Sequence, residues 1–179
     1  MNEYKILFTG TMGAGKTTAI GAVSETAPIV TDVLNNDTSH AKERTTVGLD
    51  FGQLTLENGD RLRLFGTPGQ LRFDFLWKIL SQNAIGMILL TDNSRPDPLA
   101  DLRVYLQGFA KELSGMPCVI GVGRLDMHPT PSLDDYAEEL SRLNLVLPVL
   151  AVDVRRRQDV TLLIDTLLSQ LEADLIEEH

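Results

Sequence analysis

The segment from Lys5 to Thr26 constrains the fold of this chain more than any other. An apolar run, Lys5–Thr9, is typical of a buried strand, a glycine-rich stretch follows it directly, and Lys16–Thr26 is long enough to form a helix. A strand that leads through a tight turn into a helix is the opening unit of a sheet covered by helices. The rest of the chain repeats this alternation, so we predict an α/β fold with a mostly parallel sheet.

Six strands and five helices are predicted from the alternation of short apolar runs with longer segments. The predicted strands are Lys5–Thr9, Leu49–Leu56, Arg61–Phe65, Ala84–Thr91, Pro117–Gly123 and Pro148–Val152. The predicted helices are Lys16–Thr26, Leu71–Ser81, Leu99–Leu113, Leu133–Leu143 and Val160–Ile176. Asn58-Gly59 is a strong hairpin signal between the second and third strands, which should therefore pair antiparallel. We expect a six-stranded sheet with one antiparallel strand, flanked by about five helices, in a single domain over residues 1–179.

One stretch, Pro28–Thr46, does not fit the alternation. It is long and polar, it has no clear hydrophobic period, and it lies between the first predicted helix and the second predicted strand. Loops of this length inside a compact domain are uncommon and tend to be functional. We therefore predict a functional loop here.

The charge and the apolar runs exclude some classes of partner. The 16 Lys and Arg residues against 25 Asp and Glu residues give a net charge of −9, which disfavours binding to nucleic acid or to an anionic membrane surface. No apolar run is long enough to span a bilayer, and neither end carries a lipidation motif. Cys118, the one cysteine, allows no intramolecular disulfide. We expect a cytoplasmic monomer without a direct membrane anchor.

The glycine-rich stretch Gly10–Thr17 reads G-T-M-G-A-G-K-T and fits the pattern G-x-x-x-x-G-K-[ST]. Between a strand and a helix, such a loop directs successive backbone N–H groups and a helix N-terminus at phosphate oxygens. Lys16 should reach the β- and γ-phosphates, and the Thr17 hydroxyl should ligate Mg²⁺. The residues expected to bind the phosphates are Gly10, Met12, Gly13, Ala14, Gly15, Lys16, Thr17 and Thr18.

With that loop in place, the remaining motifs resemble those of the Ras-like small GTPases over nearly the whole chain. Thr46–Phe51 resembles the end of switch I, and Gly66-Thr67-Pro68-Gly69-Gln70 resembles the D-x-x-G-Q segment of switch II. The resemblance implies a P-loop NTPase G domain that binds GTP or GDP with Mg²⁺. It also implies that Thr46, or the adjacent Thr45, ligates Mg²⁺, that Gly69 donates its N–H to the γ-phosphate, and that Gln70 orients the attacking water.

Two later segments resemble the base-reading motifs of the same family. Gly123-Arg124-Leu125-Asp126 stands in the place of N-K-x-D, which implies that Asp126 accepts from the guanine N–H groups and that Arg124 covers the base. Gly123 departs from the family, because it lacks the asparagine side chain that ties this loop to the phosphate loop. Ala151-Val152-Asp153 resembles, more weakly, the S-A-K loop that contacts the guanine carbonyl through a backbone N–H.

Gly66 is a second departure, since the family has an aspartate at this position that holds a water on Mg²⁺. Losing one such carboxylate should weaken metal retention without destroying the phosphate site. The segment L-F-G-T-P-G-Q at residues 64–70 resembles the bacterial gliding-motility (Mgl-type) and operon-encoded G-domain group. That resemblance implies slow intrinsic hydrolysis, stimulated by a roadblock/LC7-type partner, and an effector that contacts switch I and switch II.

Several residues keep two interpretations on sequence alone. Arg44 is either an intrinsic arginine finger or a solvated loop residue. The aromatic cluster, which comprises Phe73, Phe75, Leu76 and Trp77, forms in part either an effector surface or plain core packing. The arginine run at residues 155–157 either approaches the nucleotide or forms a solvated turn.

Three functions remain open. The leading one is a GTP-hydrolysing molecular switch, with Gln70, Lys16 and Arg44 as catalytic residues. A pseudo-GTPase scaffold is favoured by Gly66 and Gly123. An ATP-dependent P-loop kinase is third, because it lacks an obvious lid insertion and leaves Gln70 and Asp126 without a role.

Overall fold

The computed structural model describes residues 1–27, 29–34, 46–69 and 75–178, and for residues 29–34 and 46–48 it describes the backbone alone. The strands of the described part are β1 (Glu3–Gly10), β2 (Ile29–Leu34), β3 (Thr46–Thr55), β4 (Arg61–Gly66), β5 (Ala84–Asp92), β6 (Cys118–Gly123) and β7 (Val149–Val152). Its helices are α1 (Lys16–Val23), α2 (Phe75–Ser81), α3 (Pro98–Gly108), α4 (Ala110–Leu113), α5 (Leu133–Arg142) and α6 (Arg157–Glu177).

All the described strands form one sheet in the order β2-β3-β4-β1-β5-β6-β7. Strand β1 pairs in parallel with β4 and β5, and the parallel pairing continues to β6 and β7. Strand β3 is antiparallel to both β2 and β4, so a single strand runs against the others. This arrangement confirms the predicted α/β fold and the antiparallel pairing across the hairpin that contains Asn58-Gly59.

Two boundaries differ from the sequence-based prediction for identifiable reasons. Residues Ile29–Leu34, inside the stretch predicted as a loop, pair with β3 as a further edge strand, so the described sheet has seven strands rather than six. The single helix predicted over Leu99–Leu113 is divided at Phe109, where the backbone leaves helical geometry. Gly108, a weak helix former, precedes that break, and the Phe109 side chain is fully buried.

Two hydrophobic layers form because alternate strand residues face opposite sides of the sheet. Ile6 and Phe8 of β1 belong to the layer that includes α1 and α6, whereas Leu7 belongs to the layer that includes α2, α3 and α5. The same alternation continues in β5. Both faces of the sheet are therefore covered, which explains why the central strands are continuous apolar runs.

The parallel strands end at one edge of the sheet, and the segments that follow them meet there. The loop after β1, the segment after β4 and the loops after β6 and β7 carry most of the motif residues named above. Ligands of open α/β sheets bind at this carboxyl edge, where the strand order reverses on either side of β1. The topology therefore brings the predicted site residues together.

Two smaller expectations concern membranes and the thiol. Within the ranges that the structure covers, no helix is long and apolar enough to cross a membrane. Cys118 is fully buried in β6, and burial raises the pKa of its thiol to about 12. It is therefore a small core residue, as the apolar strand around it suggests.

The contact between β5 and α6 predicts a matched pair of glycine variants. A Cβ atom at Gly86 would lie 2.7 Å from a methyl carbon of Leu167, whereas nothing lies within 4 Å of a Cβ at Gly115. Gly86→Ala should lower the free energy of unfolding by about 1–3 kcal/mol, because overpacking displaces α6 from the sheet. Gly115→Ala should cause no loss. Urea unfolding of both variants is the measurement, and equal stabilities would contradict the packing described here.

Candidate functional site

A cleft of about 820 Å³ lies at the carboxyl edge of the sheet. It is lined by the loop between β1 and α1, by the segment after β4 and by the loops after β6 and β7. The predicted site residues that line it are Met12, Gly13, Ala14, Gly15, Lys16, Thr17, Thr18, Gly69, Arg124, Asp126, Ala151, Val152 and Asp153. Gly10 does not line the cleft, but its carbonyl accepts a hydrogen bond from Lys16. The fold therefore gathers residues that are widely separated in the sequence.

Close backbone packing shapes the phosphate loop. A Cβ atom at Gly10 would lie 2.1 Å from the carbonyl oxygen of Leu90, so only glycine fits between β1 and β5 at this point. Gly15, with φ +97, is in the left-handed region and begins α1 directly. The loop therefore turns sharply and ends with the N-terminus of α1 at the cleft.

Lys16 folds back over this loop. Its Nζ donates to the carbonyl of Gly10 at 2.6 Å and to that of Thr11 at 2.9 Å, and the residue is 8% exposed. Burial lowers the pKa of Lys16 to about 8, and the nearby charge of Asp50 partly opposes that shift. The ammonium is thus held at the centre of the loop with little solvent around it, in a position to attract an anion.

An aspartate that the sequence analysis did not select lies next to the predicted metal ligand. The Thr17 hydroxyl donates to Oδ2 of Asp50 at 2.5 Å, and Asp50 lines the same cleft. Asp50 belongs to the antiparallel strand β3, where the motif comparison predicts no carboxylate.

Asp50 is directly opposite Gly66 in the pairing of β3 with β4. A Cβ atom at Gly66 would lie 3.1 Å from the Asp50 Cβ and 3.3 Å from its Oδ2. There is space here for the carboxylate of Asp50 and little for a second one. A carboxylate from the neighbouring strand therefore lies beside Gly66 in the cleft.

The length of the hairpin loop between β3 and β4 determines that Asp50 lies opposite Gly66. The turn closes with the N–H of Leu56 donating to the carbonyl of Asp60, which leaves the three residues 57–59 in the loop. Counting equally outwards from that loop pairs Asp50 with Gly66. If the loop contained only the two residues Asn58 and Gly59, the pairing would shift by one residue, and Asp50 would not be expected opposite Gly66.

The segment after β4 is fixed against β1 and the phosphate loop. The Thr67 hydroxyl donates to that of Thr9 at 2.8 Å, and the Thr67 N–H donates to the carbonyl of Phe8. A Cβ atom at Gly69 would lie 2.5 Å from the backbone nitrogen of Met12 and 2.9 Å from Nζ of Lys16. Gly69 therefore lies against the phosphate loop, where the resemblance to switch II implies it should be.

Some of the predicted site residues fall outside the described part of the chain. Arg44, Thr45 and Gln70 are outside the described residues, as is Phe73 of the aromatic cluster. Thr46 is the first residue of β3 and is described by its backbone alone. The roles of these residues stay predictions.

Arg124 connects the loop after β6 to the phosphate loop. Its Nη1 lies 2.8 Å from Oδ2 of Asp92 and donates to the carbonyl of Gly13 at 3.3 Å. Although burial acts in the opposite direction, hydrogen bonds from Ser94 and the charge of Arg124 lower the pKa of Asp92. The Arg124 guanidinium thus links the loop after β6 to the phosphate loop. The sequence alone predicts the loss of that link, because Gly123 lacks the asparagine side chain of the family.

The backbone explains why glycine is accommodated at position 123. A Cβ atom there would lie 3.1 Å from the carbonyl oxygen of Thr91, which is tighter than ordinary contact. Arg124, the next residue, has φ +60, a left-handed conformation that is uncommon for an arginine. Its pairing with Asp92 holds the loop in that conformation, and Asp126 lines the cleft two residues further on.

The loop after β7 differs from the predicted base contact at Ala151-Val152-Asp153. Ala151 and Val152 belong to β7, and the Asp153 N–H donates to the carboxylate of Asp159 at 2.8 Å. The Asp153 carboxylate pairs with Arg155, and hydrogen bonds from Arg155 lower the pKa of Asp153 to about 2. The Asp153 N–H thus has a partner within the protein, while all three residues line the cleft, and their contact with a base stays a prediction.

The arginine run divides between two roles. Arg155 and Arg156 line the cleft, whereas Nη1 of Arg157 donates to the carbonyls of Ala22 and Val23 at the end of α1. Arg157 thus satisfies carbonyls that the end of a helix leaves without partners.

The aromatic cluster belongs mainly to the core. Trp77 is 2% exposed and Leu76 is 7% exposed, while Phe75 remains 42% exposed. The core interpretation is therefore confirmed for Trp77 and Leu76. Only Phe75 among the described members retains a substantial exposed surface.

Comparisons with known proteins agree with this site in outline. A family model described as "Conserved hypothetical ATP binding protein" matches residues 30–172, which make up most of the chain. The matched region begins after the phosphate loop. The Ras-related protein Rab-8A of chicken is 28% identical over 114 residues, which cover 62% of this chain and 50% of that protein. The chain thus spans about half the length of this curated relative.

The fold, the phosphate loop and the family match lead to the same coarse conclusion. The glycine-rich loop lies between a strand and a helix, with a buried lysine and a neighbouring carboxylate. Loops of this kind bind the phosphates of nucleotides. The chain belongs to the family of conserved hypothetical ATP-binding proteins and is a nucleotide-binding P-loop protein.

Proposed function

We propose that this protein is a GTP-binding molecular switch that slowly hydrolyses GTP to GDP with Mg²⁺. The observation that carries the proposal is the pair formed by the Thr17 hydroxyl and the Asp50 carboxylate beside the phosphate loop. This pair provides the oxygen groups that a hydrolytic phosphate site requires, although Gly66 replaces the usual aspartate.

The phosphate end of the cleft supplies positive charge and hydrogen-bond donors. Lys16 would leave its contacts with the loop carbonyls of Gly10 and Thr11 to meet the β- and γ-phosphates. The N-terminus of α1 adds its partial positive charge at the same place. Phosphoryl transfer asks little covalent chemistry of the protein, so positioning and charge neutralisation supply most of the rate.

In the proposal, Thr17 and Thr46 would ligate Mg²⁺, and Asp50, which accepts a hydrogen bond from Thr17, would orient a water bound to the ion. Mg²⁺ commonly keeps several waters and completes its coordination with phosphate oxygens, so it needs few protein ligands. When bound, the ion neutralises charge on the phosphate oxygens.

Asp126 is the residue proposed to select guanine. A carboxylate accepts hydrogen bonds from two neighbouring N–H groups, and guanine presents such a pair whereas adenine presents one donor beside an acceptor. Asp126 lines the same cleft as the phosphate loop, two residues after Arg124 in the chain. The family description, which names ATP, favours the second candidate, an ATP-binding protein with the same phosphate site.

The remaining parts of the proposal come from the small GTPase resemblance. Gln70 would orient the attacking water and Arg44 would neutralise charge in the transition state, with weak hydrolysis by the protein alone. The similarity to the Mgl-type group suggests stimulation by a roadblock/LC7-type protein and an effector that binds at the two switch segments. If hydrolysis is absent with and without such a partner, the protein is a nucleotide-binding scaffold.

Nucleotide identity and hydrolysis test this proposal first. We expect the purified protein to retain guanine nucleotide and to release phosphate slowly from GTP in the presence of Mg²⁺, with little release from ATP. Asp126→Asn should weaken GTP binding on the order of tenfold to a hundredfold, because it replaces a charged acceptor of two hydrogen bonds. Asp174→Asn, on the exposed face of α6, is the control and should leave binding unchanged. Binding confined to ATP would overturn the guanine assignment.

Mg²⁺ dependence tests the role of Asp50. Asp50→Asn keeps the size of the side chain and a hydrogen bond with Thr17 but removes the charge that would orient a metal-bound water. The Mg²⁺ concentration needed to retain nucleotide should rise by roughly tenfold to a hundredfold, measured as the release rate of a fluorescent GDP. Glu57→Gln, at the exposed turn of the same hairpin, is the control. An unchanged Mg²⁺ requirement for Asp50→Asn would contradict the proposal.

The pKa of Lys16 predicts how nucleotide binding varies with pH. In the free protein the pKa of Lys16 is lowered to about 8, and nearby phosphates would raise it in the complex. Binding therefore takes up a proton above that value. GDP affinity should be highest below about pH 8 and should fall about tenfold between about pH 7 and about pH 9.

Calorimetry in buffers of different ionisation enthalpy measures this proton uptake. Lys16→Arg keeps its charge throughout the range and should bind more weakly without the same pH dependence. Equal slopes for the two proteins would contradict the assignment of the pH dependence to Lys16.

A further inference from the structure

Two buried aromatic side chains hold the backbone of the segment that faces the phosphate loop. Nε1 of Trp77 donates to the carbonyl of Pro68 at 3.3 Å, and the hydroxyl of Tyr105 donates to the carbonyl of Gly69 at 3.2 Å. Trp77 belongs to α2 and Tyr105 to α3, so two helices contact consecutive peptide groups. Both residues are 2% exposed.

An aromatic stack fixes the position of these two donors. The Trp77 ring stacks on Tyr105 with 4.6 Å between centroids and on Phe109 with 5.1 Å between centroids. A Cβ atom at Gly108 would lie 2.7 Å from the Trp77 ring, so α3 approaches the ring as closely as a glycine allows. The indole and the phenol therefore have little freedom to turn away from the carbonyls that they contact.

Because the peptide group is planar, these contacts also fix the direction of the Gly69 N–H. In a trans peptide the N–H points away from the C=O of the preceding residue, so holding the Pro68 carbonyl towards Trp77 directs the Gly69 N–H away from that ring. Gly69 itself lies against Met12 and Lys16, because atoms of these two residues are within 3 Å of a Cβ atom placed on it. A terminal phosphate held by Lys16 would thus lie near a donor of fixed orientation.

We infer that Trp77 and Tyr105 are positioning residues, which hold the Pro68–Gly69 backbone in the orientation that recognises the terminal phosphate of a nucleoside triphosphate. The inference rests on the proposed function, because it requires nucleotide in this cleft. Only a triphosphate has the group that Gly69 would contact. The two side chains therefore determine how strongly the protein distinguishes a triphosphate from a diphosphate, and they connect that distinction to α2 and α3.

Tyr105→Phe tests the inference with little change to the core, because it removes the hydroxyl and keeps the ring stacked on Trp77. Affinity for a non-hydrolysable GTP analogue should fall about threefold to tenfold, while affinity for GDP stays the same. Trp77→Phe, which removes the indole donor, should shift the ratio of the two affinities in the same direction. A role in folding alone would weaken both nucleotides equally or neither.

Tyr136→Phe is a matched control. Tyr136 is also a buried tyrosine, and its hydroxyl donates to Oδ1 of Asn93 at 2.8 Å, in a part of the same layer that does not contact Gly69. It should leave the ratio of triphosphate to diphosphate affinity unchanged. If Tyr105→Phe behaves like Tyr136→Phe, the positioning role is overturned while the proposed nucleotide site stands.

The outcomes also separate this inference from the guanine assignment. If the wild-type protein binds ATP rather than GTP, the same ratio is measured with ADP and a non-hydrolysable ATP analogue, since the phosphates are shared. A loss of discrimination there supports the positioning role although the guanine proposal fails. If the wild-type protein binds neither kind of nucleotide, both the proposed function and the positioning role are overturned.

Discussion

The pairing of Asp50 with Gly66 across strands β3 and β4 is the constraint on which the proposed site depends. It places a carboxylate next to the Thr17 hydroxyl from the strand that runs against all the others. Because Gly66 has no side chain, the carboxylate has space beside Ile20 and the phosphate loop. The glycine at position 66 leaves room for the Asp50 carboxylate, so the two residues form one arrangement.

This arrangement connects the phosphate loop to β3 on one side and to the segment after β4 on the other. Strand β3 begins at Thr46 and contains the segment that resembles the end of switch I, so a ligand that engages Asp50 would act on that segment directly. On the other side, β4 ends at Gly66 and leads within three residues to Gly69, which Tyr105 contacts. In the proposed switch, changes at the phosphates would therefore reach both of these segments through the chain itself.

Much of the fold and part of the site follow from sequence patterns. The alternation of apolar runs and the Asn58-Gly59 turn predict the parallel sheet and its antiparallel strand, because strong local patterns decide strand pairing. The phosphate loop is predicted because its residues are adjacent in the chain. The strand Ile29–Leu34 was missed because it lies inside the stretch Pro28–Thr46, whose overall polar composition conceals a short run of β-branched and apolar residues.

Asp50 and Arg124 show why the rest of the site is harder to predict. A motif comparison assigns roles by position in the chain, whereas Asp50 reaches Thr17 from a different strand. Likewise, Arg124 makes the link to Gly13 that the comparison assigns to the side chain of the preceding residue. Both relations depend on distances across the sheet and between loops, which motif spacing does not contain.

The most direct test of this account moves the carboxylate from one strand to the other. The Mg²⁺ concentration for half-maximal nucleotide retention should rise in Asp50→Gly and return towards the wild-type value in the double variant Asp50→Gly with Gly66→Asp. Gly66→Asp alone should not improve on the wild type, because its side chain would crowd Asp50. If Asp50→Gly retains the wild-type requirement, or if the double variant recovers nothing, the two positions do not share one carboxylate and the account is wrong.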